Sequence, residues 1–169
     1  MLTVRERTKA LGSWGEAKAL TLLRRAEFSK LRDMNAETFN HPFGDIYAER
    51  DGKRYLIGVK TRNKYQISGP LNPTYNVRKK GADVWAIAHR YNAQLAWVTL
   101  QVIPEGRIFW SYFGTIALIE DRAERFSIPM RPSDTPKYEC LADEEVDGSI
   151  FPKWSNGGYR RQMGSMRVK

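Results

Sequence analysis

Asp51-Gly52 separates two stretches of alternating residues, Gly44–Glu49 and Lys53–Lys60, and that pattern fits a tight antiparallel hairpin. A two-residue turn of this kind fixes the register outright. Arg50 must face Lys53, and counting back sets Asp45 opposite Gly58. Because side chains alternate along a strand, Asp45, Gly58 and Lys60 fall on one face. Few other features of the chain are so constrained by local chemistry alone.

Around this hairpin the sequence predicts an α/β arrangement. The stripe Leu11, Gly15, Ala19, Leu22 and Ala26 predicts a helix from about Thr3 to Arg25, with Arg and Lys opposite. Phe28–Met34 reads as a short strand, and Tyr75–Arg90 as a second helix after the loop Ser68–Pro73. Leu95–Ile103 and Arg107–Phe113 read as a further hairpin turning at Pro104-Glu105-Gly106. The expected order is α-β-β-β-α-β with one additional hairpin strand, a mixed sheet flanked by helices. Residues 1–119 would form this core. Residues 120–169, punctuated by Pro129, Pro132, Pro136 and Pro152, would be an irregular extension packed on it, with a basic tail at 159–169.

The net charge is +9 over 169 residues, and it is unevenly placed. Glu120–Asp147 holds nine acids and four bases, a local −5, so the remainder carries +14. Bases gather in the first helix (Arg5, Arg7, Lys9, Lys18, Arg24, Arg25), in the middle and at the end. An excess of this kind suits a polyanion, since neutralising phosphates releases counterions. One cysteine, Cys140, excludes an internal disulfide and a Cys-rich zinc site. The charged start carries no secretion signal, and no stretch is long and apolar enough for a membrane span, so a cytoplasmic location is expected.

An aspartate beside a lysine on adjoining strands is a workable phosphodiesterase arrangement. The carboxylate would hold a hard divalent cation, Mg²⁺ or Mn²⁺, and the ammonium would stabilise charge on the scissile phosphate or orient water. A second strand carboxylate is missing. Arg62 and Lys64 follow where a nucleic-acid backbone would run, together with Asn63 and Gln66, and Arg78-Lys79-Lys80 offers a second phosphate patch. Glu49 faces Arg54 and is expected to pair with it. His41 and His89 are isolated, and Trp85, Trp97 and Trp110 are expected in the core.

Gly15-Glu16 in a first helix, Gly44-Asp45 opening a strand, and Val59-Lys60-Thr61-Arg62 closing the next together resemble the PD-(D/E)XK nuclease superfamily. The pattern is most similar to archaeal-type Holliday junction resolvases and the YraN-like proteins, over roughly Leu11–Ile103. Those relatives usually read Glu-Val-Lys where this chain reads Gly58-Val59-Lys60. The resemblance implies a restriction-endonuclease-like fold. It also implies Asp45 as the metal aspartate, Lys60 as the motif lysine, and Glu16 as a helix carboxylate that assists the metal. Two function classes follow. One is a metal-dependent DNA endonuclease, a Mg-dependent phosphodiesterase in which Asp45, Glu16 and Lys60 are catalytic; a nuclease-derived DNA-processing protein belongs with it. The other is a catalytically degenerate nucleic-acid-binding domain. Resolvase-like relatives work as dimers, so a homodimer is implied too.

Overall fold

The computed structural model describes residues 3–37, 43–63, 72–78, 83–103, 108–119, 121–122 and 125–146. The predicted hairpin forms as counted: β2 (Ile46–Arg50) pairs antiparallel with β3 (Lys53–Asn63), and Arg50 faces Lys53. Asp51 and Gly52 take φ of 53° and 72°, the left-handed pair that such a turn requires. α1 (Val4–Arg25) starts from a capping box, in which Thr3 Oγ1 accepts from Glu6 N–H and the Glu6 carboxylate accepts from Thr3 N–H.

The main sheet runs β1 (Ser29–Asp33), β2, β3, β5 (Gln94–Ile103), β6 (Ile108–Thr115), β9 (Glu139–Glu145). Only the β3–β5 pair is parallel, so the sheet is mixed. A second sheet, β4 (Thr74–Arg78), β8 (Arg125–Pro129) and β7 (Asp121–Arg122), lies in the chain between and beyond these strands. The fold has three layers. α1 packs Leu11, Ala19, Leu22 and Leu23 onto the face bearing Tyr55, Ile57, Val98 and Leu100. The small sheet and α3 (Val84–Tyr91) cover the other face, where Leu56, Leu95 and Trp97 meet Tyr75, Val77, Phe126 and Ile128. α1 comes unusually close at Gly15, because a Cβ there would stand 1.7 Å from Thr61 Oγ1.

Several expectations change. Tyr75–Arg90 is not one helix: Thr74–Arg78 is a strand, and the helix begins only at Val84, capped by the Asp83 carboxylate. Tyr75 and Val77 alternate inward, which is strand periodicity. The segment expected to be irregular beyond residue 119 contains strands β7, β8 and β9, and β9 forms an edge of the main sheet. Trp97 is fully buried and Trp110 half-buried, but Trp85 is 54% exposed. Val84 and Ala88 face the core on α3, and Trp85, one residue on, is turned away by the helical rotation. Lys64, Gln66, Lys79, Lys80, His41 and the basic tail 159–169 lie outside the described residues.

β9 also accounts for part of the charge asymmetry. Glu139 holds Arg50 through two hydrogen bonds of 2.7 and 2.6 Å, and the same guanidinium lies 4.0 Å above the Phe28 ring. Glu144 pairs with both Arg25 and Lys18 of α1. The acidic segment thus neutralises bases on the helix layer. Glu49 bridges Lys30 at 2.8 Å and Arg54 at 3.7 Å, which matches its expected structural role.

Candidate functional site

Asp45 sits where β2 begins. The ladder ends at Ile46↔Ile57, and one further step sets Asp45 at the level of Gly58, as counted. The backbone there is already drawn back, since Asp45 N–H donates to the Ile57 carbonyl at 2.9 Å and Asp45 C=O accepts from Met34 N–H at 2.9 Å. The carboxylate is engaged as well. Oδ2 accepts from Val59 N–H at 2.6 Å, and Oδ1 accepts from Asn35 Nδ2 at 2.9 Å. Just ahead of the first residue of β2, the side chain of Asp45 supplies the acceptor that Val59 N–H on the neighbouring strand would otherwise lack. Asn35 arrives on the short helix α2 (Met34–Glu37), whose first turn is held by Asp33 accepting from Asn35 and Ala36 N–H.

Gly58 is buried, and its side-chain position is filled from elsewhere. A Cβ there would meet Val77 Cγ1 at 2.7 Å and the Phe43 carbonyl at 3.6 Å. The glycine is therefore matched to the small sheet packed over it. Lys60 and Arg62 follow on the same face by alternation. Across the parallel pair Lys60 lies beside Thr99, and Arg62 beside Gln101; β6 continues these rows with Tyr112 and Trp110. Below Trp97 this face therefore turns polar, and it does so under cover: Thr99 is wholly buried, and Gln101 Nε2 donates to the Met130 carbonyl at 3.0 Å.

Arg62 is the unusual group in this strip. Its guanidinium donates to the neighbouring Thr61 carbonyl at 2.9 Å, and among the described residues no carboxylate pairs with it. Burial pulls its pKa down from the ordinary arginine value, with the nearby Tyr75 hydroxyl opposing. A half-buried guanidinium that has shed part of its water without gaining an anion is costly to hold.

Glu16 is placed differently from Asp45 and Lys60. α1 lies over the sheet face that carries Thr61, whereas Gly58, Lys60 and Arg62 belong to the opposite face. Of the expected basic contacts, Arg78 is in β4, where it pairs in register with Arg125.

These residues do not fit the paired strand carboxylates of a two-ligand metal site. Both Asp45 oxygens already accept hydrogen bonds, Gly58 offers no oxygen, and Val77 occupies the space a side chain would need. Among the described residues no group of three or more His, Cys, Asp or Glu is placed to hold a metal ion. Sequence reading missed Asn35 and Val77. Neither has a local signature, because each reaches the site from a separate element.

No protein-family model matches the chain, and no curated protein matches it by sequence. Among solved structures, that of Archaeoglobus fulgidus Hjc, a Holliday junction resolvase from an archaeal hyperthermophile, matches with a TM-score of 0.51 at 18% identity. The match covers 83% of this chain and 99% of that one. No helix among the described residues is long and apolar enough to cross a membrane. At this identity the likeness speaks to architecture, and on that level it agrees with the layers described above: the chain has the restriction-endonuclease-like fold, a mixed sheet flanked by helices, as in that resolvase.

Proposed function

We propose that this chain is a nuclease-derived DNA-processing protein that grips nucleic acid on the sheet face bearing Lys60 and Arg62. The observation that carries the reading is Arg62, a half-buried cation without a carboxylate partner among the described residues, two positions beyond Lys60 on one face. A phosphate oxygen is the anion such a fork accepts best, through parallel charge-assisted hydrogen bonds. The overall charge of +9 and a fold similar to that of a resolvase support the same partner. In this reading Asp45 is chiefly a clasp between β2, β3 and α2, and hydrolysis is lost with the carboxylate at Gly58. DNA in the cytoplasm, bound by a monomer or a homodimer, is the setting proposed.

A second reading is a divalent-metal-dependent endonuclease in which Asp45, Lys60 and Glu16 are catalytic and Glu16 supplies the oxygen Gly58 lacks. The close seat of α1 on β3 at Gly15–Thr61 favours it, since it holds Glu16 beside the strand that carries Lys60. Incubating labelled junction, duplex and single-stranded DNA with purified protein separates the two. Binding that persists in EDTA, with no cleavage in Mg²⁺ or Mn²⁺, supports the first. Metal-dependent cleavage that Asp45→Asn and Glu16→Gln both abolish establishes the second. Absence of binding to any of these DNAs at low salt refutes both.

A further inference from the structure

Two cavities open side by side where β3 and β5 begin, and Ala88, Ala93 and Gln94 belong to the walls of both. The first, about 430 Å³, is mostly apolar and lies between Trp85 of α3 and Ile116 and Ile119 after β6. The second, about 470 Å³, is polar, with Lys53 and Arg54 at the hairpin turn and His89 and Asn92 at the end of α3. The described residues that line the two include no Asp or Glu, in a chain that carries 19 acids. Trp85 stands 54% exposed at the apolar end, its ring crosswise to that of Phe126 at 6.1 Å. Gln94, exposed, and Thr115, whose hydroxyl does not cap the turn Ile116–Leu118, add hydrogen-bonding groups there.

An anion meets little opposition in the polar half. Among the described residues Lys53 has no ion pair, and Arg54, nearly half exposed, reaches Glu49 only at 3.7 Å. Open carbonyls at the C-terminus of α3 would repel a phosphate. Here the His89 and Ala88 carbonyls are occupied, accepting from Asn92 N–H and Ala93 N–H at 2.9 Å each. An exposed aromatic ring, hydrogen-bonding groups beside it and cations a short step away are the features that hold an unpaired base with its phosphate. We infer that this groove is a nucleotide subsite. It takes an unpaired base against Trp85, with Gln94 and Thr115 at the base edge, and the adjoining phosphate at Lys53, Arg54 and His89. The inference rests on the reading that nucleic acid is the partner, and it deepens that reading by naming single-stranded or unpaired nucleic acid as the substrate class. Arg54 and Arg62 share a face of β3 eight residues apart, roughly 26 Å, so the subsite is separate from the strip at Lys60 and Arg62.

The test measures binding of the full chain to a labelled oligothymidine by fluorescence anisotropy across a salt series, beside an abasic oligonucleotide of the same length and a blunt duplex. Trp85→Ala removes the stacking platform for one base and is expected to weaken oligothymidine binding about 5- to 100-fold, while Trp85→Phe keeps most of the affinity. The duplex offers no unpaired base, and its binding is expected to stay level in both variants. Lys53→Gln is expected to lower the slope of log affinity against log salt by about 0.7. Should Trp85→Ala fold poorly in urea unfolding, the wild type decides alone, and it is expected to hold oligothymidine at least about 5-fold more tightly than the abasic strand. A wild type that binds no strand, or binds without salt dependence, overturns the nucleic-acid reading and the subsite with it. Salt-dependent binding in which Trp85→Ala matches the wild type, or the abasic strand matches the intact one, overturns the subsite and leaves that reading standing; the groove then belongs to another class of partner. A loss in Trp85→Ala of equal size on single strand and duplex marks a structural fault and overturns the subsite as well.

Discussion

Gly58→Ala probes the packing that separates this site from one with two carboxylates. The new methyl would stand 2.7 Å from Val77 Cγ1, with the Phe43 carbonyl at 3.6 Å. Val77 is 5% exposed and branched at Cβ, so it has little rotameric freedom to yield. Overpacking of this kind costs about 1–3 kcal/mol. Replacing glycine returns roughly 0.5–1 kcal/mol by restricting the unfolded chain, for a net loss near 1–2 kcal/mol. Val77→Ala alone removes two methyl-sized groups, about 1.6 kcal/mol of transfer free energy, plus a cavity contribution that brings the cost to roughly 2–3 kcal/mol. In the double variant the clash has no partner, and the alanine at 58 partly fills the space vacated at 77. The expected loss is therefore smaller than the sum of the singles by about 1 kcal/mol or more. Urea unfolding of all four proteins, read at constant m-value, measures that coupling. Losses that add to within about 0.3–0.5 kcal/mol would refute the claim that Val77 fills the Gly58 position.

Further outcomes follow from the same geometry. Gly58→Glu alone is expected to gain no Mn²⁺ affinity by titration calorimetry, whereas Gly58→Glu with Val77→Ala opens room for the carboxylate; equal gains in both would contradict the packing at this position. Arg50→Ala removes two hydrogen bonds to Glu139 and the stack on Phe28, and is expected to lower stability by about 2–3 kcal/mol in urea unfolding. Arg25 and Lys18 hold the Glu144 carboxyl below the usual glutamate range, and Lys30 and Tyr47 do the same for Glu49. A depressed carboxyl contributes stability that is present above the unfolded-state value, about 4.3, and is lost as pH falls through the folded one. Thermal unfolding is therefore expected to drop as the solution is acidified below about pH 4.5, and Glu144→Gln flattens part of that drop.

How far the sequence revealed the molecule depended on how local the determining contacts are. The β2–β3 hairpin and α1 were legible because Asp51-Gly52 and a single apolar stripe fix them within a few residues. β9 was not, because its membership in the sheet depends on pairing with β6, and its run Asp143-Glu144-Glu145 breaks the alternation that marks a strand. Tyr75–Arg78 reads as the start of the expected helix because five residues of strand are too short to outweigh the helical pattern that follows. At the candidate site, the shared face of Gly58, Lys60 and Arg62 and the level of Asp45 follow from counting along strands. Val77 and Asn35, which decide what Asp45 and Gly58 can do, arrive through tertiary packing and leave no spacing to count.

The pairing of β9 with the helix layer has an effect at long range. Lys18 and Arg25 share Glu144 and Arg50 pairs with Glu139, so two of these three positive charges are offset in the field sensed at a distance. Arg62 sits toward the small-sheet layer, beside Tyr75, on the other side of the main sheet. With no carboxylate partner among the described residues Arg62 keeps its full charge, and its pull on a polyanion fades as added salt shortens the screening length.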